Sequence, residues 1–247
     1  METSARTSGV GFEKSAEGID GILDPLMEYP DSFYESFIVE FKPNQETCFF
    51  YCFFKSLFVV VASVILLALL FPFMLALAIA VRLDSKGPAI FIQNRVGKDG
   101  KVFRFYKFRS MRTDAPRDCA TSRLENPEQY HTRIGRVLRR LSLDELPQLF
   151  CVLIGTMSFV GYRPLVLTEK KCNDMRAKLG VFAARPGISG YAQIRGRDDV
   201  YYKNKAIMDA YYVKHASLGF DLKILLRTVW VVLRRDGNND NKKYNIE

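Results

Sequence analysis

The chain has 247 residues, 48% of them hydrophobic, and a formal net charge of +9. That length suits one large domain or a domain with appendages, and the composition can build a core. Charge is split unevenly, with ten acids against Arg6, Lys14 and Lys42 in the first fifty residues, net −7, which leaves +16 on the rest. A body so basic suits nucleic acid, an anionic membrane surface or phosphorylated small molecules, and composition does not choose among them. Five cysteines (Cys48, Cys52, Cys119, Cys151, Cys172) with no CxxC pair, and two distant histidines, His131 and His215, support neither a disulfide framework nor a zinc site.

Residues 1–46 are acidic, rich in Ser, Gly and Pro, and without the basic start and apolar run of a secretory signal. They read as a loosely packed extension, with FIVEF at 37–41 docking as a short strand or turn, or staying disordered. Their acidity would let them fold back on the basic body as a flap. Residues 57–81 carry no charge, about 25 residues or roughly 37 Å of helix, longer than the hydrocarbon thickness of about 30 Å. This marks a membrane segment, taken as 47–84. Pro72 near its middle removes a backbone hydrogen bond and favours a bend. A helix bent there dips into one leaflet and returns; a helix merely kinked there spans the bilayer. Lys55 before and Arg82 with Lys86 after it do not decide between them.

Next come two β-rich runs around Lys98-Asp99-Gly100-Lys101, the signal of a tight hairpin. On its second strand Lys107 and Arg109 are two apart and so share a face, suited to phosphate or to solvent. Residues 112–130, with Pro116 and Pro127, read as a surface loop, and 132–141 as a basic helix. The chain then reaches SLDELPQ at 142–148, where Asp144 and Glu145 sit between Arg133, Arg136, Arg139, Arg140 upstream and Arg163 downstream. Paired acids in a basic field can keep a carboxylate nucleophilic, bring a divalent cation and still admit an anionic substrate. Ser142 and Glu145 also spell a capping box, a purely structural use of the same residues. GTMSFVGYRP (155–164) and ARPGISGYAQIRGR (184–197) are turn-rich loops whose Arg163, Arg185, Arg195 and Arg197 offer forked donors for phosphate or carboxylate. Residues 207–212 read as helical with Asp209 on them. The segment 222–235 is amphipathic, with Trp230 placed to meet headgroups if it lies in the membrane interface, the alternative being a core helix with a basic outer stripe. Residues 236–247 read as a flexible tail.

Several of these stretches, in this order, resemble the bacterial sugar transferases, the monotopic phosphoglycosyl transferases that act on a polyprenyl phosphate carrier. The landmarks are the apolar segment broken by Pro72, DSKGPAIFIQNRVG, KFRSM, LRRLSLDELPQL, MSFVGYRP, RPGISGYAQIRGR and DAYYVKHASLGFDLKIL. The resemblance implies an α/β (α+β), mainly helical monotopic membrane protein: a re-entrant helix bent at Pro72, a small β-hairpin and amphipathic interfacial helices around a cytosolic catalytic domain at 85–235. It implies that Asp144 attacks the β-phosphate of a UDP-sugar, expels UMP and holds the phosphosugar covalently until polyprenyl phosphate displaces it, as the first membrane step of glycoconjugate or exopolysaccharide assembly. Mg²⁺ would be the cofactor, held by Asp144 and Glu145. Lys107, Arg163 and Asp209 match functional positions of the family, and Arg109, Arg139, Arg185 and Arg197 complete the expected substrate-binding set. The bacterial inner membrane, with the catalytic domain facing the cytoplasm, is the implied location. Inner-membrane lipids would surround the protein, downstream glycosyltransferases or a second copy could join it, and nucleic acid is not expected. Two departures stand out: Phe71 precedes Pro72 where serine is usual, and GPRP reads GYRP, with Tyr162 in place of proline. A rival reading is a membrane-tethered basic binding module without catalysis, which accounts for the anchor and charge but not for acids amid the cations.

Overall fold

The charge-free run forms a single helix, α2 (Phe49–Asp84), of 36 residues, about 54 Å along its axis. It continues as helix through Pro72. In the computed structural model, which describes residues 23–25, 27–40, 49–116, 124, 126–196 and 201–234, this helix buries one stripe. Val59, Ser63, Leu67, Met74 and Val81, spaced by four and seven, face the body of the protein. Phe58, Val61, Ile65, Leu69, Phe73 and Leu83 lie exposed on its other sides.

The expected hairpin follows. β1 (Ile90–Val96) pairs antiparallel with β2 (Val102–Phe108), with Val96 opposite Val102 and Phe91 opposite Lys107. Asp99 (φ 56°) and Gly100 (φ 70°) take left-handed backbone in succession, the requirement of the turn type that Asp-Gly favours. α3 (Arg133–Arg140) is the basic helix, capped by Thr132, whose hydroxyl accepts from the Gly135 amide at 2.9 Å. α4 (Gln148–Leu153) comes from the apolar run after the acidic pair. Together α3 and α4 pack Leu138 and Leu149 against Leu67, Met74 and Val81 of α2.

The two turn-rich loops were expected to be loops only; each contributes a short strand. β3 (Ser158–Val160) and β4 (Gly187–Ser189) run parallel, Ser158 opposite Gly187 and Val160 opposite Ser189. A Cβ on Gly187 would lie 2.1 Å from the Gly161 nitrogen, so the two backbones meet only because both positions are glycine. α5 (Lys170–Lys178), α6 (Tyr191–Gly196), α7 (Tyr202–Lys214) and α8 (Leu218–Arg234) complete the body. α8 buries Asp221 and Ile224 while Leu218, Leu222, Leu226, Val229 and Trp230 stay exposed, so its outer face is apolar as well as basic.

The largest departure from the sequence reading lies upstream. Within the acidic segment, α1 (Asp31–Glu40) is helical, and Leu23, Tyr34 and Phe37 are 3%, 3% and 1% exposed in one core with residues of α7 and α8. Leu23, Tyr34 and Phe37 are therefore packed, and Phe37 belongs to a helix rather than to a strand or an isolated turn. Apolar burial, invisible in a locally polar composition, overrides that composition here. Phe41 lies outside the described residues.

Candidate active site

The acidic pair sits on a 3₁₀ turn, Leu143–Glu145, between α3 and α4. The capping box is not formed. Ser142 takes left-handed backbone (φ 56°) and its side chain makes no capping bond, while the Glu145 carboxylate reaches away to Arg163, Nη2 to Oε1 at 2.7 Å. The turn packs against β2, and Asp144 is 8% exposed. Burial, and after it the neighbouring Glu145, hold the Asp144 carboxyl above the usual carboxylate range; Lys107, Arg139 and Arg163 pull it back. Lys107, on β2, lies over the ring of its cross-strand neighbour Phe91, 5.1 Å from the centroid. Desolvation, then the Arg95 charge, push the Lys107 ammonium down to about 8, with Asp144 opposing and Arg139 and Arg163 adding to the fall. Three elements and a loop, the 3₁₀ turn, β2, α3 and the segment around Arg163, thus converge on one carboxylate. The structure brings Asp144, Glu145, Lys107, Arg139 and Arg163 together.

The Arg163 segment is held from both sides. Arg95 on β1 donates to the Pro164 carbonyl at 2.6 Å, and Val96 N donates to the Leu165 carbonyl at 3.1 Å. From the core, Arg176 on α5 donates to the Arg163 carbonyl at 2.9 Å and pairs with Asp209 on α7 at 2.5 Å. Arg176 and Asp209 are 0% and 1% exposed. Burial works against charge on both; the contact between them outweighs it at Arg176, whose guanidinium is kept charged. Asp209, expected to bind substrate, has its carboxylate paired with Arg176 inside the core, and Arg176 is what links it to the Arg163 segment. Tyr162, the residue that departs from the family pattern, is also fully buried, edge-on to Phe182 and 5.2 Å under the Arg176 guanidinium. It fills the space beneath the loop rather than facing a ligand.

Arg109 follows the end of β2 and turns inward, donating to the carbonyls of Ser85 and Lys86 at 2.6 Å each, to Ser85 Oγ at 2.9 Å and to the Val81 carbonyl at 3.3 Å. It clamps the carbonyl end of α2, where a cation is favoured. Arg185 is exposed. Arg197 lies outside the described residues.

Residues 50–235 match the family described as bacterial sugar transferase. The chain belongs to that family. This sugar transferase is 41% identical over 205 residues to the undecaprenyl-phosphate galactose phosphotransferase of Salmonella typhimurium, covering 75% of this chain and 41% of that one. It is 40% identical over 190 residues to the UDP-N-acetylgalactosamine-undecaprenyl-phosphate N-acetylgalactosaminephosphotransferase of Aeromonas hydrophila, covering 74% and 44%. With the UDP-glucose:undecaprenyl-phosphate glucose-1-phosphate transferase of Caulobacter vibrioides the identity is 40% over 191 residues, covering 74% and 70%. The chain spans less than half the length of the first two of these relatives.

Sequence reasoning missed Arg95 and Arg176 in this transferase. Arg176 had one faint signal. Cys172, Arg176 and Leu179, at i, i+4 and i+7, put a cation on the buried face of α5. Lys55, read only as a membrane flank, is a hub: its ammonium donates to Tyr51 OH, to the Val160 carbonyl and to Tyr212 OH, and pairs with Asp221 at 3.0 Å. It ties α2 to β3, α7 and α8.

Among the described residues no group of three or more His, Cys, Asp or Glu could hold a metal by itself. Asp144 and Glu145 offer adjacent carboxylates. Such a pair fits Mg²⁺, which is commonly bound by one or two carboxylates with substrate phosphates completing the shell.

Proposed function

We propose that this sugar transferase moves a phosphosugar from a UDP-sugar to a polyprenyl phosphate, releasing UMP, through a covalent intermediate on Asp144. The observation that carries the reading is the Asp144 carboxylate itself. It is nearly buried, next to Glu145, and acted on by Lys107, Arg139 and Arg163. An Asp144 oxygen bonds to the β-phosphorus as the phosphoanhydride bond to UMP breaks. An oxygen of polyprenyl phosphate then bonds to the same phosphorus, the Asp144 bond breaks, and the polyprenyl diphosphate sugar departs. Splitting the transfer in two avoids bringing two polyanions together in one step. Lys107, Arg139 and Arg163 screen the phosphates, and Glu145 orients Arg163 through their contact. Asp144 and Glu145 would hold Mg²⁺, which supplies further neutralisation of the diphosphate.

The monotopic topology gains support from how α2 is fastened. Lys55 near its start bonds to β3, α7 and α8. At its other end Arg109 clamps the last carbonyls and the Asp84 carboxylate accepts from the Ile134 amide of α3 at 2.9 Å. A helix passing straight through a bilayer would leave one end on the far side, away from that body; a re-entrant helix bent at Pro72 keeps both on one face. The exposed apolar residues of α2 and α8, with Val137 on α3 and Leu141 just after it, and Phe150 on α4 and Ile154 just after it, supply the matching membrane-facing surface. The membrane is the bacterial inner membrane and the face is cytoplasmic, where a soluble UDP-sugar meets the lipid phosphate.

The relatives' names cover three sugars, so the test is a donor panel. The protein, held in nanodiscs with Mg²⁺ and polyprenyl phosphate, should release UMP from one UDP-sugar. Asp144→Asn should lose that activity by at least about a thousandfold while remaining membrane-bound. UMP release that survives Asp144→Asn would remove the nucleophile. A folded protein that releases no UMP from any donor would overturn the transferase reading.

A further inference from the structure

Residues 23–40 precede the stretch that matches the family, which begins at residue 50, yet they are built into the same core. Leu23, Tyr34 and Phe37 share it with Ala206, Ile207 and Ala210 of α7. Asn204, fully buried near the start of α7, is spent almost wholly on this segment: its Nδ2 donates to the carbonyls of Asp24 (2.9 Å), Pro25 (3.3 Å) and Met27 (2.5 Å), and its Oδ1 accepts from Tyr34 OH at 2.9 Å. The Tyr201 amide adds a bond to the Pro25 carbonyl at 3.2 Å. Charge has a minor part. Lys203 pairs with Asp31 at 2.5 Å, but Asp31 is 82% exposed, and such a pair contributes little. An acidic flap held by long-range attraction would leave in salt; a segment held by buried rings and satisfied buried amides would not.

From that anchored start α7 runs on to Asp209, which holds Arg176, which holds the Arg163 carbonyl, and Arg163 meets Glu145. We infer that residues 23–40 are a positioning element of the transferase site: by fixing the first turns of α7 they set the Asp209–Arg176 pair and, through it, the Arg163 segment. Tyr34, Phe37 and Asn204 are the positioning residues. Their path to Asp144 runs through Asp209, Arg176, Arg163 and Glu145, so their effect on turnover is indirect. The kinetic half of the inference rests on the proposed transfer reaction; the structural half does not.

The full chain in nanodiscs tests both, by hydrogen exchange and by UMP release. Phe37→Asp, which places a charge in the core, should speed exchange at 31–40, across 202–214 and at 161–166. It should raise KM for the UDP-sugar on the order of threefold to thirtyfold, the range of a coupling carried through packed residues, with a smaller change in kcat. Phe37→Leu should restore both. Should Phe37→Asp fail to fold, Tyr34→Phe removes only the hydroxyl, which donates to Asn204 and accepts from the Tyr29 amide, and should move the same regions in the same direction, less far. Faster exchange confined to 31–40, with 202–214, 161–166 and KM unchanged, would overturn the inference. A protein without UMP release from any donor would fail the proposed reaction, and exchange at 161–166 would still decide the coupling.

Discussion

The Arg176–Asp209 pair gives the sharpest prediction. Asp209→Asn keeps an acceptor but removes the charge opposite a guanidinium that is 0% exposed. Arg176 cannot shed its proton near neutral pH, and its bond to the Arg163 carbonyl keeps it in place. A buried cation without its partner costs about 3–5 kcal/mol. At about 2–4 °C per kcal/mol for a chain of this size, the apparent unfolding midpoint in detergent should fall by roughly 6–20 °C. Arg176→Met combined with Asp209→Leu removes both charges, and apolar replacement of a buried pair is often neutral or stabilising. The double variant should therefore melt within a few degrees of the native chain. It should still turn over poorly, because the Arg163 carbonyl has lost its donor and the segment facing Glu145 is free to shift. Thermal unfolding and UMP release on the native chain, Arg176→Met, Asp209→Leu and the double variant complete a cycle. A fall of less than about 2 °C for Asp209→Asn, or a double variant as unstable as the two singles added, would refute the buried ionic pair.

Two further outcomes are expected. UMP release should rise with pH along an acid limb set by Asp144, displaced above the usual carboxylate range because burial and Glu145 favour its protonated form, and fall around pH 8 as Lys107 loses its proton. Lys107→Arg should carry the alkaline limb upward; a native profile flat from about pH 7 to 10 contradicts the assignment of Lys107. Arg109→Ala should cost about 1.5–3 kcal/mol through the lost carbonyl clamp on α2 and leave KM for the UDP-sugar unchanged. A marked rise in KM with little loss of stability would return Arg109 to the substrate.

What the sequence could reveal was local. An uncharged run long enough to fill a bilayer forms a helix whatever surrounds it, so α2 was legible from 57–81. Asp99-Gly100 supplied the left-handed pair that closes the hairpin, a signal that acts within four residues. The convergence on Asp144 was half legible. Adjacent acids among arginines, Arg163 included, marked the centre; Lys107 read as facing phosphate or solvent, and only the family resemblance tied it to that centre. Tertiary structure decided the rest, because it chose partners that no local rule selects. Arg176 is separated from Asp209 by 33 positions, and Arg109, expected to share a face with Lys107, turns to α2, where its two terminal nitrogens meet carbonyls. Residues 23–40 look like a solvated acidic tail until α7 offers an apolar face and Asn204 offers buried hydrogen bonds. Backbone propensity and capping energies act over one or two turns, whereas burial rewards whichever distant surface fits, and only the folded chain brings those surfaces together.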